Sequence, residues 1–345
     1  MKNRVCIIIC YFGKLPDTID SFIYSCKCNS EFNWLIFTDC DLEDVPTNMS
    51  VERIDLAHIK RLAENKLNMA INLETPYKLC DYKVAYGLIF EDYLQNYDFW
   101  GYGDFDVIYG NLKEFITDDI LDNYDKIYPL GHLSLMRNNE ECCKLFMKEV
   151  KCTSSYLSVF STSVSCFFDE NRGINDKLEA FGIRIYTKFE FADIDGTYRR
   201  FRVVDKKTLR LTLPSFRYFE GLRKNYRKQI FYYANGHLYQ RHLEKGKLAD
   251  EEISYIHYRR KLKVLWQAGD PVMLITPAGL IGVQSVPDIE YINKYNGVTE
   301  NELLVYLIHA SHRIWARFIM VSRDRIITLL GKSQKLRGLI HKFRT

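Results

Sequence analysis

The sequence has no C-x-x-C pair, and none of its 10 cysteines lies beyond Cys166. The missing pair argues against a zinc site built on cysteine. Several cysteines lie in apolar, strand-like runs, where we expect them to act as small hydrophobic residues. We therefore predict a reduced protein that resides in the cytoplasm.

Long hydrophobic runs are also missing. No apolar segment reaches the length of about 20 residues that a transmembrane helix needs. The N-terminal run "MKNRVCIIICYFG" is too short for a signal peptide, and it continues into "GKLPD" rather than into a small-residue cleavage site. It is better interpreted as a first buried β-strand.

The sequence does contain strand-like and helix-like segments in alternation. The apolar runs "RVCIIICYF" (4–12), "FNWLIFTD" (32–39) and "DFWGYGDFDVIYG" (98–110) are typical of strands buried on both faces. Segments with helical spacing lie between them, including "DLAHIKRLAENKLNMAIN" and "KLCDYKVAYGLIFEDYLQNY". This order predicts an α/β domain with a mostly parallel sheet and helices on both faces.

The second half of the chain changes character twice. Short strand-like runs follow residue 186, and an Asn235-Gly236 pair between two of them predicts a β-hairpin-rich insertion. From about Glu302 onward, apolar residues recur near helical spacing. From Leu303 to the last residue there are nine Lys or Arg residues against the single acid Asp324, although the whole chain has a net charge of only +4. We predict a basic, amphipathic helical tail.

Pairs of aspartates separated by one residue occur three times, beginning at Asp39, Asp104 and Asp193. A single D-x-D string is more often a solvated turn than a site, and Asp193 is interpreted as part of a turn because a glycine follows. Only the string at Asp104 follows a strand in the middle of the predicted sheet, and ligands of open α/β sheets bind at strand ends. Asp104 and Asp106 repel each other unless a cation lies between them, so we predict a Mn²⁺ or Mg²⁺ site.

The segments "YKLCDYKVAYGLIFEDYL" and "YDFWGYGDFDVIYGNL" resemble the bacterial nucleotide-sugar glycosyltransferases of the GT-A type. More narrowly, they resemble a group encoded with capsule and lipopolysaccharide genes, in which a K-L-C-D-x-K-x-A-Y-G block precedes a D-x-D strand. The resemblance covers about residues 4 to 260. It implies a GT-A (Rossmann-like) catalytic domain at 1–262, a connecting segment at 263–301 and the helical tail at 302–345.

The resemblance implies transfer of a sugar from a nucleotide-diphosphate sugar to a glycan acceptor, such as a lipid-linked oligosaccharide, in capsule or O-antigen synthesis. A basic amphipathic tail suits contact with a membrane surface, so we expect a peripheral protein on the inner face of the cell membrane. The rival interpretations are a helix packed on the catalytic domain and a nucleic-acid patch. No nucleic-acid motif accompanies the charge, and we expect no nucleic-acid partner.

The resemblance also implies roles for individual residues. The metal would be held by Asp104, Asp106 and His257, with Arg259 and Arg260 as possible phosphate partners. His132 is a rival of His257 for the metal, and the segment that carries it would lie on the acceptor side. The nucleotide sugar would be bound by Tyr11, Phe12, Gly13, Thr38, Asp39, Asp81, Lys83 and Asp104.

The catalytic residues are expected in "CFFDENRGIND", where Asp169 and Glu170 precede a helix-like segment. An inverting transferase needs a carboxylate that deprotonates the acceptor hydroxyl, and this pair suits that role. The alternative is a pair of carboxylates that only stabilise a helix N-terminus. A retaining enzyme needs no such base, and the sequence leaves the stereochemistry open.

Two other functions fit parts of the pattern. A nucleotidyltransferase acting on sugar phosphates shares the metal pair at a strand end, but we expect it to carry a Gly-rich loop after the first strand. The sequence "CYFGKLPD" lacks such a loop. A non-catalytic membrane-binding module is the second alternative, and substitution of Asp106 by Ala would leave its cellular role intact.

Overall fold

A computed structural model describes residues 1–151, 153–170, 173–193, 201–203, 224–258 and 261–296 of the chain. These residues form an α/β structure with three sheets, which confirms the predicted class. Within them, no helix is both long enough and apolar enough to cross a bilayer. The predicted tail at 302–345, like Arg259 and Arg260, lies outside the described residues.

The strands and helices are named here in chain order. The strands are β1 (Val5–Tyr11), β2 (Phe32–Thr38), β3 (Met49–Arg53), β4 (Phe99–Gly103), β5 (Val107–Tyr109), β6 (Lys126–Ile127), β7 (Leu133–Arg137), β8 (Ile185–Tyr186), β9 (Ala192–Asp193), β10 (Arg202–Val203), β11 (Gln229–Ala234), β12 (His237–Glu244), β13 (Lys247–Glu252), β14 (Tyr255–His257), β15 (Lys263–Leu265), β16 (Val272–Thr276) and β17 (Gly279–Val283). The α-helices are α1 (Ile19–Lys27), α2 (Leu56–Leu67), α3 (Tyr86–Ile89), α4 (Glu91–Leu94), α5 (Asp118–Asn123), α6 (Glu140–Lys144), α7 (Tyr156–Phe160), α8 (Ile174–Ala180) and α9 (Ile289–Tyr295).

The largest sheet has seven strands in the order β3-β2-β1-β4-β7-β6-β8. The pairs β3–β2, β2–β1 and β1–β4 are parallel, as predicted. β7 runs antiparallel to both β4 and β6, so the sheet is mixed. Successive side chains of β1 enter opposite faces. Ile7 and Ile9 pack into one apolar cluster, whereas Cys6 and Ile8 pack into another. Burial on both faces explains the uninterrupted apolar run of this strand.

The segment 98–110, predicted as a single strand, is divided between two sheets. Its first part is β4 of the seven-stranded sheet, and its second part is β5 of a four-stranded sheet in the order β10-β9-β14-β5. The D-x-D string forms the crossing between the two sheets. Because of this crossing, the two parts of the segment belong to different sheets rather than to one continuous parallel sheet.

The third sheet has six strands in the order β13-β12-β11-β16-β17-β15. Its hairpin between β11 and β12 turns at Asn235 and Gly236, with φ values of 53° and 84°, which confirms the hairpin prediction. The segment from residue 263, which the sequence divides off as a connection, instead supplies β15, β16 and β17 to this sheet.

The segment "KLCDYKVAYGLIFEDYLQNY", predicted as one amphipathic helix, consists of short helical turns instead. Two 3₁₀ helices, Pro76–Asp81 and Lys83–Ala85, precede α3 and α4. Almost every residue from Leu79 to Phe90 is buried, so the segment has no continuous solvent face of the kind an amphipathic surface helix presents. Gly87 packs directly on the ring of Trp100, where a Cβ would overlap the indole.

Candidate functional site

The D-x-D crossing is anchored by the aromatic residue between its two carboxylates. Phe105 is buried, and its ring packs against those of Tyr11 and Phe22, each with a centroid distance of 4.9 Å. The side chains of Asp104 and Asp106 remain 38% and 39% exposed. The ring between the two aspartates is thus buried, while both flanking carboxylates remain accessible.

His257 reaches this crossing through strand pairing. β14 pairs antiparallel with β5, and the register places His257 opposite Val107, the residue after Asp106. The backbone N–H of Tyr258 donates to the carbonyl of Asp106 at 3.0 Å. As a result, Nε2 of His257 lies 3.4 Å from Oδ2 of Asp106. The structure therefore brings together two of the three predicted metal ligands.

A second carboxylate lies on the other side of the His257 ring. β14 also pairs with β9, which places His257 opposite Asp193, and Nδ1 lies 3.2 Å from Oδ1 of Asp193. Burial alone would lower the pKa of His257, but the two carboxylates outweigh it and raise the pKa to about 10. Burial likewise opposes ionisation of Asp106, yet its contact with His257 lowers the pKa of that carboxyl.

Lys83 holds the other carboxylate of the D-x-D string. Its Nζ donates to Oδ1 of Asp104 at 2.6 Å and to the carbonyl of Gly131 at 3.0 Å. Burial by itself would lower the pKa of this ammonium, but the charges of Asp104 and Asp169 raise the pKa above its usual value. Lys83 therefore stays charged at neutral pH and can offset an anion bound at the crossing.

Gly131 joins Lys83 to the predicted catalytic pair. While its carbonyl accepts from Lys83, its N–H donates to Oε1 of Glu170 at 2.8 Å. A Cβ on Gly131 would overlap Oδ2 of Asp169. Burial, followed by the neighbouring charge of Glu170, raises the pKa of Asp169 well above its usual range. Asp169 and Glu170 are thus gathered beside Lys83 and Asp104 in one polar cluster.

Asp81 is fully buried and faces the loop that carries Asp169. Its carboxylate accepts from the N–H groups of Cys166 and Phe168 at 2.9–3.0 Å, and from Nζ of Lys78 at 2.7 Å. These contacts differ from the expected role of lining the sugar-diphosphate pocket. They indicate that Asp81 acts on the site by holding the loop in place.

The predicted nucleotide-binding residues divide into exposed and buried groups. Asp39 accepts from the N–H of Gly13 at 2.9 Å, which links the loop after β1 to the end of β2 at an exposed position. Tyr11 packs beside the crossing through its contact with Phe105. Phe12 is 7% exposed and belongs to an apolar cluster.

Thr38 is also fully buried, and its hydroxyl accepts from the N–H of Cys40 at 3.1 Å. Phe12 and Thr38 are therefore placed where they support the strand ends rather than face a ligand.

His132 is buried within the sheets rather than on an exposed acceptor side. Its ring stacks on that of His257 at 4.3 Å with an interplanar angle of 22°, and it packs edge-on against Phe191 and Tyr255. Within the part of the chain that the structure describes, one group of three metal-ligating side chains comes within 4.8 Å: His132, Asp193 and His257. Of the predicted ligands Asp104, Asp106 and His257, only His257 is in that group.

Two residues of this region were not anticipated. The sequence predicts a turn at the D-x-D string of Asp193. The pairing of β9 with β14 brings Asp193 to His257 instead, and no local pattern in the sequence reveals that pairing. Lys126 is buried, and its Nζ donates to the carbonyl of Tyr128 at 3.0 Å. Burial lowers the pKa of Lys126 to about 7, although the charges of Asp169 and Glu170 oppose that shift. In the sequence, only the position of this lysine within a short strand-like run indicated that it could be buried.

Comparison with known families adds one finding. Residues 7–282 match the family of unknown function DUF6625. The chain belongs to the DUF6625 family. The match extends from β1 to β17 and so includes every residue of the polar cluster described above. No curated protein matches the chain.

Proposed function

We propose that this DUF6625 protein is a metal-dependent glycosyltransferase of the GT-A type. It would move a sugar from a nucleoside-diphosphate sugar to a hydroxyl group of a glycan acceptor in bacterial capsule or O-antigen synthesis. One observation carries the proposal. The D-x-D string lies at the carboxyl end of β4, with His257 placed against one carboxylate and Lys83 against the other.

The donor set at Asp106 and His257 fits a divalent cation. Adjacent ligands of an octahedral Mg²⁺, each about 2.1 Å from the ion, lie about 3.0 Å apart. The distance between Oδ2 of Asp106 and Nε2 of His257 is 3.4 Å, close to that value. Mn²⁺ accepts the same mixture of oxygen and imidazole ligands. When bound, the cation would supply positive charge to the departing diphosphate, and Asp104 is the third residue available to it.

The nucleotide would extend from the crossing toward the ends of β1 and β2. Ligands of open α/β sheets bind beyond the carboxyl ends of parallel strands, and β1 is parallel to both β2 and β4. The exposed link between Gly13 and Asp39 lies at these ends. The charged ammonium of Lys83 would then stabilise the diphosphate, because preorganised charge is often the largest contribution to catalysis.

The carboxylates near Gly131 would act on the acceptor. In an inverting reaction the acceptor hydroxyl gives its proton to a carboxylate while its oxygen bonds to the anomeric carbon and the bond to the diphosphate breaks. Burial raises the pKa of Asp169 well above its usual range. Glu170 is the more exposed carboxyl of the pair, so it is the better placed proton acceptor. Tyr77, 68% exposed, offers a surface for the acceptor beside this pair.

The acceptor would be lipid-linked, and the protein would lie peripherally on the inner face of the cell membrane. This part of the proposal rests on the basic amphipathic character of residues 302–345. Binding of the full chain to vesicles with and without anionic lipid tests it, and deletion of the tail should abolish binding.

Thermal shifts with a set of nucleoside diphosphates and nucleotide sugars, with and without Mn²⁺, test the donor assignment. We expect one nucleoside diphosphate to raise the melting temperature only when the metal is present, and Asp106→Asn to remove that response. Asp41→Asn is the matched control, because Asp41 belongs to another D-x-D string and pairs with Arg53 on the surface. No metal-dependent shift with any nucleotide would refute the proposed function.

A further inference from the structure

The imidazole of His257 lies between two carboxylates, Asp106 in the crossing before β5 and Asp193 at the end of β9. Its Nε2 is 3.4 Å from Oδ2 of Asp106, and its Nδ1 is 3.2 Å from Oδ1 of Asp193. We infer that Asp193 is a positioning residue, which holds Nδ1–H of His257 so that Nε2 faces Asp106 and the cation. This inference rests on the proposed function, because it concerns the same cation site.

Backbone pairing fixes both contacts. β14 lies between β5 and β9 in the four-stranded sheet, so His257 has Val107 opposite it on one side and Asp193 on the other. Asp193 ends β9 and Asp106 directly precedes β5, so the two carboxylates approach the ring from opposite sides. The register of β14 with β9 sets the contact with Asp193. The pairing of β14 with β5, and the hydrogen bond from the N–H of Tyr258 to the carbonyl of Asp106, set the contact with Asp106.

The chemistry of metal-bound histidine explains why the second carboxylate matters. A histidine that binds a metal through one ring nitrogen almost always donates its other N–H to a carboxylate, a carbonyl or water, which fixes the tautomer and the ring orientation. Oδ1 of Asp193 lies at ion-pair distance from Nδ1, 3.2 Å away, and a carboxylate on that side of the ring leaves the lone pair of Nε2 for the cation. His132 adds a second restraint, because its ring stacks on that of His257 at 4.3 Å.

The same residues define the competing arrangement. His132, Asp193 and His257 have ligand atoms within 4.8 Å of one another, so a cation could instead lie on the Nδ1 side of His257. In that case His132 and Asp193 would both be metal ligands. Our inference assigns the cation to the Nε2 side, where Asp106 is 39% exposed, whereas His132 is almost fully buried.

Mn²⁺ binding to the full-length protein, measured by electron paramagnetic resonance without nucleotide, distinguishes the two arrangements. We expect Asp193→Asn to weaken Mn²⁺ affinity about 10- to 100-fold, and Asp193→Glu to restore part of it. His132→Phe keeps an aromatic ring on His257 and should leave the affinity within about twofold. An equal loss in His132→Phe would overturn the inference and place the cation on the Nδ1 side.

Two further measurements separate positioning from stability. Asp125→Asn is the matched control, because the side chains of Asp125 and Asp193 are 18% and 16% exposed and both have cationic partners. It should lower stability without changing Mn²⁺ affinity. In the metal-free protein, ¹⁵N NMR should show protonated Nδ1 in His257, with shifts that change in Asp193→Asn.

The failure of this inference differs from the failure of the proposed function. If Asp106→Asn abolishes Mn²⁺ binding while Asp193→Asn leaves both the affinity and the His257 shifts unchanged, only the positioning role is refuted. If the unsubstituted protein binds no Mn²⁺, or Asp106→Asn has no effect on its binding, the cation site and the positioning role are refuted together.

Discussion

The carboxylate of Asp169 occupies the space that a side chain on Gly131 would need. Replacing Gly131 by Ala must therefore move Asp169, the loop that carries it, or both. Overpacking of a well-packed region costs about 1–3 kcal/mol, so we expect a lower free energy of unfolding in urea titrations. Transfer activity should fall by more than the loss of folded protein explains, since the same glycine also contacts Lys83 and Glu170.

Gly269→Ala is the control for that substitution, because among the described residues no atom beyond its chain neighbours lies within 4 Å of the position where its Cβ would be. It should leave both stability and activity close to those of the unsubstituted protein. Unchanged activity in Gly131→Ala would mean that the carboxylates near Gly131 take no part in the reaction.

Lys83→Met should weaken the binding of nucleoside diphosphates. A hydrogen bond to a charged group contributes about 1.5–3 kcal/mol, which corresponds to a loss of roughly 10- to 100-fold in affinity by isothermal titration calorimetry. Lys177→Met is matched to it, since Lys177 is also buried but donates to the backbone carbonyls of Phe146 and Lys148. Both variants should lose stability, and only Lys83→Met should lose affinity. Equal affinities would remove Lys83 from the donor site.

Asp81→Asn should act on stability rather than on donor recognition. The substitution leaves the buried ammonium of Lys78 without its carboxylate, and breaking such a pair costs about 3–5 kcal/mol. We expect chemical denaturation to show this loss, while the protein that remains folded binds nucleotide sugar with little change. Normal stability combined with lost donor affinity would instead assign Asp81 to the sugar-diphosphate pocket.

Lys126 predicts an unusual dependence of stability on pH. Burial lowers its pKa from the ordinary 10.5 to about 7, so between these values the unfolded chain binds a proton that the folded protein has released. The contribution of Lys126 to the free energy of unfolding therefore rises with pH across this window, by about 1.4 kcal/mol per pH unit at most. Below pH 7 Lys126 is also protonated in the folded protein, and the full cost of burying its charge then lowers the free energy of unfolding.

Urea unfolding at pH 7 and pH 9 checks this prediction. From pH 7 to pH 9, the free energy of unfolding of the unsubstituted protein should rise by more than that of Lys126→Met. Lys60→Met, at an exposed lysine paired with Glu74, should leave that gain unchanged. A difference of zero or of the opposite sign for Lys126 would mean that its ammonium stays charged in the folded protein.

Local patterns in the sequence predicted the parts of the fold that depend on neighbouring residues. The uninterrupted apolar runs of β1 and β2 reflect burial on both faces, and Asn235-Gly236 supplies the positive φ values that its turn requires. Asn139 also acts through its chain neighbours: it is a residue type favoured at helix N-caps, and its side chain accepts from the N–H of Cys142 at the start of α6.

Pairing between distant strands was not predictable in this way. The division of segment 98–110 between two sheets depends on β14, about 150 residues further along the chain, and nothing in the local pattern reveals that partner. The same holds for Asp193, because the glycine that follows its D-x-D string is typical of a turn. Composition also gave no sign that His132 would be buried against His257.

The crossing has a consequence for how the protein is made. Asp106 leaves the ribosome long before His257, yet the two side chains are 3.4 Å apart in the finished fold. A nascent chain shorter than about 258 residues has Asp106 without His257, so the cation and nucleotide that we propose could not yet stabilise it. Long-range closure of this kind is slow, and the growing polypeptide must depend on its hydrophobic core, or on chaperones, until synthesis has passed β14.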